Sequence, residues 1–192
     1  MIAAETIRAI EDKALALREL IVRDLIGEGK VGHLGGSCSL AEIVATLYFH
    51  KMKHDPANPK NPDRDRFLLS KGHAALVQYA ALALAGYFPV SELKKVKSLG
   101  AMLQGHPDMT KTPGIEANTG SLGQGLSVAN GMALGLRLDG SPRRVYVIVG
   151  DGEQAEGQIW EAAMAAANFK IDNITAIVDC NRLQATGAIV DR

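Results

Sequence analysis

Apolar positions along this chain follow two regimes, a three-to-four-residue recurrence and short uninterrupted runs, and the change between them marks out helices and strands. Ala3, Ile7, Ile10, Ala14, Leu17, Ile21 and Leu25 share one helical stripe, which Gly27 and Gly29 bring to an end. Ser39 with Glu42 forms a capping-box pattern for a second helix carrying Leu40, Ile43, Val44, Leu47 and Tyr48. Pro56, Pro59 and Pro62 recur every third residue and predict an extended surface loop. Phe67-Leu68-Leu69-Ser70 reads as a short strand, leading through Lys71-Gly72-His73 into an alanine-rich helix that runs to about Ala85. A short basic helix over 91–97, a long irregular segment over 100–123 and a helix over 126–138 follow.

The pattern is sharpest over 145–181. Val145-Tyr146-Val147-Ile148-Val149 is too short for a helix and rich in β-branched residues, which predicts a buried strand. Gly150-Asp151-Gly152 ends it, and Ile159, Trp160, Ala163, Met164 and Ala167 then recur on one face of a helix. A second apolar run, Ile174-Thr175-Ala176-Ile177-Val178, stops at Asp179-Cys180-Asn181. Strand, helix, strand of this length is a βαβ unit with parallel strands and a right-handed crossover. The expected fold class is α/β, a parallel sheet flanked by helices.

Composition narrows the classes. A chain of 192 residues with 47% apolar content suits one domain with a buried core. Zero formal net charge gives no reason to expect nucleic acid as a partner. The N-terminus carries charges throughout and no apolar run approaches the length of a membrane span, so no signal peptide and no membrane are expected. Cys38 and Cys180 are far apart and lack metal-type spacing, which fits a cytoplasmic protein with free thiols.

The candidate chemistry lies at the strand ends. Parallel neighbouring strands lie about 4.8 Å apart and would present Asp151 and Asn181 on one sheet edge, where a carboxylate and an amide oxygen can share a hard cation. Gly150 and Gly152 would leave room for a bulky anion. Glu153 and Glu156 crowd the following turn with negative charge, so a bridging cation serves better than the helix dipole alone; Glu156 is the one favoured for a functional role. Taken alone, Asp151 and Asn181 also read as ordinary turn formers. His33, His73 and His106 each sit beside glycine or proline in a loop and suggest a polar pocket, with a three-histidine zinc site as the rival; His50 and His54 read as solvated.

These residues carry a resemblance. GDG between a strand and a helix, with Asn181 ending the next strand, resembles the thiamine diphosphate motif, and the rest of the chain resembles the N-terminal part of transketolase. GHLGGS (from Gly32), FLLSKGHA (from Phe67), QGHPD (from Gln104), TGSLGQG (from Thr119) and GDGEQAEG (from Gly150) match that family's successive motifs, with Ser121 where it usually has proline. The resemblance implies one diphosphate-binding domain over 1–192, of thiamine diphosphate-binding fold and incomplete at its C-terminal end. It assigns Mg²⁺ to Asp151, Asn181 and the Leu183 carbonyl, and the diphosphate to Gly152, in the turn begun by Gly150, and to His73. Backbone groups of Gly120 and Leu122 would meet the aminopyrimidine, His33, His73 and His106 the sugar, and Glu156 a carboxylate network between cofactor sites.

The resemblance places the glutamate that protonates the aminopyrimidine, and the arginines that grip sugar phosphate, outside this stretch. The chain is therefore expected to act only with a C-terminal transketolase subunit carrying the pyrimidine-binding domain, on sugar phosphates, as a dimer or heterotetramer. Deoxyxylulose phosphate synthase is the alternative within the same chemistry. A non-catalytic interaction module that kept the fold is the alternative outside it, and a carboxylate-metal hydrolase using Asp151, Glu153 and Glu156 is a third.

Overall fold

Two clusters of elements divide the chain, Met1–Pro62 with His73–Ile115 and Asp63–Gly72 with Glu116–Arg192. The computed structural model describes residues 2–27, 29, 32–184 and 187–189.

In the first unit, α1 (Ala4–Leu20) buries Ala14, Leu17 and Leu20 and continues as a π-helical turn, Ile21–Ile26, that buries Ile21 and Leu25. The stripe is therefore real, but its N-terminal half stays in solvent, with Ile7 exposed. The chain leaves the helix at Gly27, whose φ of +38° no side chain would favour. The expected glycine loop at 32–37 is partly helical: α2 (Leu34–Cys38) starts directly after His33. α3 (Ala41–Thr46) begins at Leu40 without a side-chain cap, so the capping box does not form. Glu42 is engaged elsewhere, accepting from the two terminal guanidinium nitrogens of Arg18, each at 2.6 Å.

α4 (Ala75–Ala85) is buried on every face from Ala75 to Ala83, as a helix apolar all round must be, and Gly86 closes it at φ +96°. Tyr79 is fully buried in it, and its hydroxyl lies 3.0 and 2.9 Å from the carbonyl oxygens of Gln104 and His106. Burial, then the charge of Asp108, pushes the Tyr79 phenol up, so it stays a donor. Tyr79→Phe should destabilise the protein by about 1 kcal/mol, read in urea denaturation, because two loop carbonyls lose their donor. His54 is not solvated as expected. Its Nε2 lies 2.6 Å from the Tyr48 carbonyl, Nδ1 lies 3.1 Å from the Tyr87 hydroxyl, and its ring stacks on Tyr87.

The second unit holds a parallel three-stranded sheet in the order β1 (Arg66–Leu69), β2 (Val145–Gly150), β3 (Ile174–Asp179). All of β2 is buried, as its unbroken β-branched run requires. α5 (Gln124–Leu138) starts after Gly123 and packs Leu126, Ala129 and Ala133 against Val145, Val147 and Val149. α6 (Gly157–Asn168) lies beside α5 through Ile159 and Ala162, and Asn130 Nδ2 donates to the Ala162 carbonyl at 2.8 Å. The periodic face read from sequence thus points mostly outward, with Trp160 59% and Met164 66% exposed. The helix is apolar on several sides, and α5 takes the side where the small Ala162 allows close approach. A short antiparallel pair, β4 (Leu183–Gln184) with β5 (Gly187–Ala188), follows β3. Among the described residues no helix is long and apolar enough to cross a membrane.

Candidate functional site

β2 and β3 pair in register with Gly150 opposite Asp179, so the residues that follow them emerge on one edge of the sheet. The Asp151 N–H donates to the Asp179 carbonyl at 3.1 Å. The Asp151 side chain accepts from the N–H of Gly152 at 2.8 Å and, through its other oxygen, from the N–H of Arg182 at 2.6 Å. Asn181 Oδ1 accepts from the Leu183 N–H at 2.9 Å. Asp151 and Asn181 therefore both accept from backbone N–H groups of the 181–183 turn, in which Arg182 has φ +63°. Each Asp151 carboxylate oxygen accepts one of these bonds and has a second lone pair.

The floor of this edge is charged. Lys71, from the end of β1, pairs with Asp179 at the end of β3, and both are buried. Its stem crosses β2 at Gly150, where a Cβ would lie 3.3 Å from Lys71 Cδ. The side of Gly150 that a Cβ would occupy is thus filled by this side chain. At Gly152 a Cβ would come within 3.2 Å of Gln184.

The loop before α5 approaches β1 to backbone contact. A Cβ on Gly72 would overlap the Thr119 carbonyl at 2.5 Å, and one on Gly125 would overlap Ser70 at 2.4 Å. Gly120 and Leu122 lie in this loop, half-buried, and the buried Thr119 hydroxyl makes no hydrogen bond among the described residues. Glu153 is 2% exposed and spans the same junction, whereas Glu156 is exposed and stands in front of α6 without a side-chain cap bond.

The histidines group within the first unit. The rings of His33 and His73 meet edge to face, 5.1 Å between centroids. His106 is exposed as a residue, yet its imidazole is pushed below the ordinary histidine range, first by burial and then by His33 and Lys97. The His106 imidazole therefore resists protonation around neutral pH. Among the described residues no three His, Cys, Asp or Glu side chains gather as metal ligands, so neither the zinc alternative nor the three-carboxylate one finds support.

The family described as "Transketolase, thiamine diphosphate binding domain" matches residues 10–191. The chain belongs to this family. Its transketolase relatives include a 6-deoxy-6-sulfo-D-fructose transketolase subunit of Clostridium sp. (strain MSTE9), 50% identical over 93% of this chain and 64% of that protein. Another is an apulose-4-phosphate transketolase subunit from Actinobacillus succinogenes, 45% identical over 95% of this chain and 66% of that one. The chain thus spans a little under two thirds of the length of these two curated relatives. The solved transketolase of Campylobacter jejuni superposes with a TM-score of 0.87 at 34% identity, over 95% of this chain and 30% of its own.

Every candidate from His33 to Leu183 falls within the span matched to the transketolase domain. Among the buried polar residues of that domain are Ser70, Lys71 and Asp179, which the sequence reading did not single out, and Glu153, which it passed over in favour of Glu156. The available signal was their position. Each lies at or just past the end of a predicted strand, where a polar side chain can be buried if another strand end supplies its partner.

Proposed function

We propose that this chain is the N-terminal, diphosphate-binding subunit of a two-chain transketolase, with one domain of that type over 1–192. It would transfer a two-carbon ketol unit between sugar phosphates together with a chain carrying the pyrimidine-binding domain. The observation that carries the reading is the arrival of Asp151 and Asn181 on one edge of neighbouring parallel strands, at a shared turn. One carboxylate, one amide oxygen and the Leu183 carbonyl form a hard donor set that suits Mg²⁺, which takes its other ligands from phosphate and water. The Thr119 hydroxyl beside Gly120, without a hydrogen bond among the described residues, adds a polar group suited to a ligand.

Bound thiamine diphosphate supplies a nucleophilic carbon and an electron sink. The chain's own residues supply placement and proton control. Asp151 and Asn181 hold the cation, Gly152 and His73 contact the diphosphate, and the backbone of Gly120 and Leu122 orients the aminopyrimidine. His33, His73 and His106 bind sugar hydroxyls and pass protons, and the His106 imidazole, held below the ordinary histidine range first by burial, does so as the neutral ring. Glu156, exposed ahead of α6, is free to join a carboxylate network with a partner chain. The subunit naming of the two relatives supports a partner, in a dimer or heterotetramer, and their ketose names support a ketose donor. Free Cys38 and Cys180 accord with a cytoplasmic setting.

The test is the full chain mixed with its partner, Mg²⁺ and cofactor, using a ketose phosphate donor and an aldose phosphate acceptor. Ketol transfer is expected, and its absence with both chains folded overturns the reading. Product formed from pyruvate as donor would favour the deoxyxylulose phosphate synthase alternative.

A further inference from the structure

Glu153 is a buried carboxylate to which neither the family resemblance nor the proposed mechanism gives a task. One of its oxygens accepts from the Ser70 hydroxyl and from the Gly123 N–H at 2.8 Å, and the other accepts from the Gly150 N–H at 3.0 Å. The three donors come from distant parts of the chain: the residue after β1, the last residue before α5 and the last residue of β2. The same junction is closed to backbone contact at Gly72 and Gly125. It carries on one side the loop of Gly120 and Leu122, and on the other Asp151, which directly follows Gly150.

We propose that Glu153 is a positioning residue for the diphosphate site, clamping the loop before α5 to the ends of β1 and β2. A clamp of this kind fixes the spacing between the loop's backbone groups and Asp151 before any cofactor arrives. Ligand binding then does not have to order the loop, and preorganisation of this sort appears as affinity. Gly123 sits at φ +86°, a conformation the loop keeps more readily when its N–H is held. The inference rests on the thiamine diphosphate reading above.

The test uses the full chain with its partner and Mg²⁺, comparing wild type, Glu153→Gln and Ser70→Ala. Gln sets an amide NH₂ against donors that a carboxylate accepts, so at least one of the three bonds is lost. Ser70→Ala removes one donor and leaves both N–H bonds to the carboxylate, so it is the variant that tests the clamp if Glu153→Gln does not fold. Calorimetric affinity for thiamine diphosphate should fall about tenfold or more in Glu153→Gln, as for groups that orient ligands, and about threefold in Ser70→Ala. The cofactor KM should rise in step while kcat at saturating cofactor stays within about threefold of wild type. A folded variant with lowered Tm but wild-type cofactor affinity would show Glu153 to be structural only and overturn the proposal. If wild type itself binds no cofactor, the thiamine diphosphate reading fails and the clamp fails with it. Binding by wild type and equally by both variants removes the clamp alone.

Discussion

Asp151→Ala is expected to abolish the Mg²⁺-dependent part of thiamine diphosphate binding and to lower ketol transfer by at least about a hundredfold. Asp151 is the charged member of the proposed donor set; Asn181 and the Leu183 carbonyl are neutral, so without it a divalent ion meets no compensating charge from this chain's set. The substitution also frees two backbone N–H groups, those of Gly152 and Arg182, and costs about 1 kcal/mol of stability through the lost cap. Asp151→Asn separates the two effects. It keeps an oxygen for one of the two N–H groups and removes the charge, so its Tm should fall less than that of Asp151→Ala while it loses most of the metal-dependent heat. Calorimetry with and without Mg²⁺ is the measurement, and unchanged affinity in either variant would take Asp151 out of the metal site.

Lys71→Met is expected to cost about 3–5 kcal/mol, the usual penalty for removing one partner of a buried ion pair. The side chains of Lys71 and Asp179 are 3% and 7% exposed, so water cannot replace the ammonium at little cost. Met fills much the same volume across β2, which makes charge rather than packing the quantity tested. The double variant Lys71→Met, Asp179→Asn should recover part of the loss, because no buried charge is then left behind. Chemical denaturation of the three proteins gives the coupling. A loss below about 1 kcal/mol in the single variant would mean that the pair is dispensable.

The sheet was legible in the sequence because an unbroken β-branched run such as Val145–Val149 has few other places to go than a strand buried on both faces. The site edge followed from it: once β2 and β3 are parallel neighbours, Asp151 and Asn181 must leave the same side. What failed were inferences that depended on partners distant in sequence. Glu42 looked like half of a capping box until Arg18, 24 residues away, claimed it. His54 looked solvated because nothing nearby in sequence announces Tyr87. The inward side of α6 could not be read from an alanine-rich helix with apolar residues on several sides. The burial of Glu153 was likewise out of reach, since only the meeting of β1, β2 and the loop before α5 supplies three donors to one carboxylate.

Lys71 lying across β2 has a bearing on how such chains are recognised. An alanine in place of Gly150 would press on the lysine stem whether or not any ligand were ever bound. A descendant that had abandoned the cofactor would therefore still meet that stem on replacing the glycine. The first letter of GDG thus answers in part to an internal cation, and Asp151 is the better witness to lost or retained chemistry.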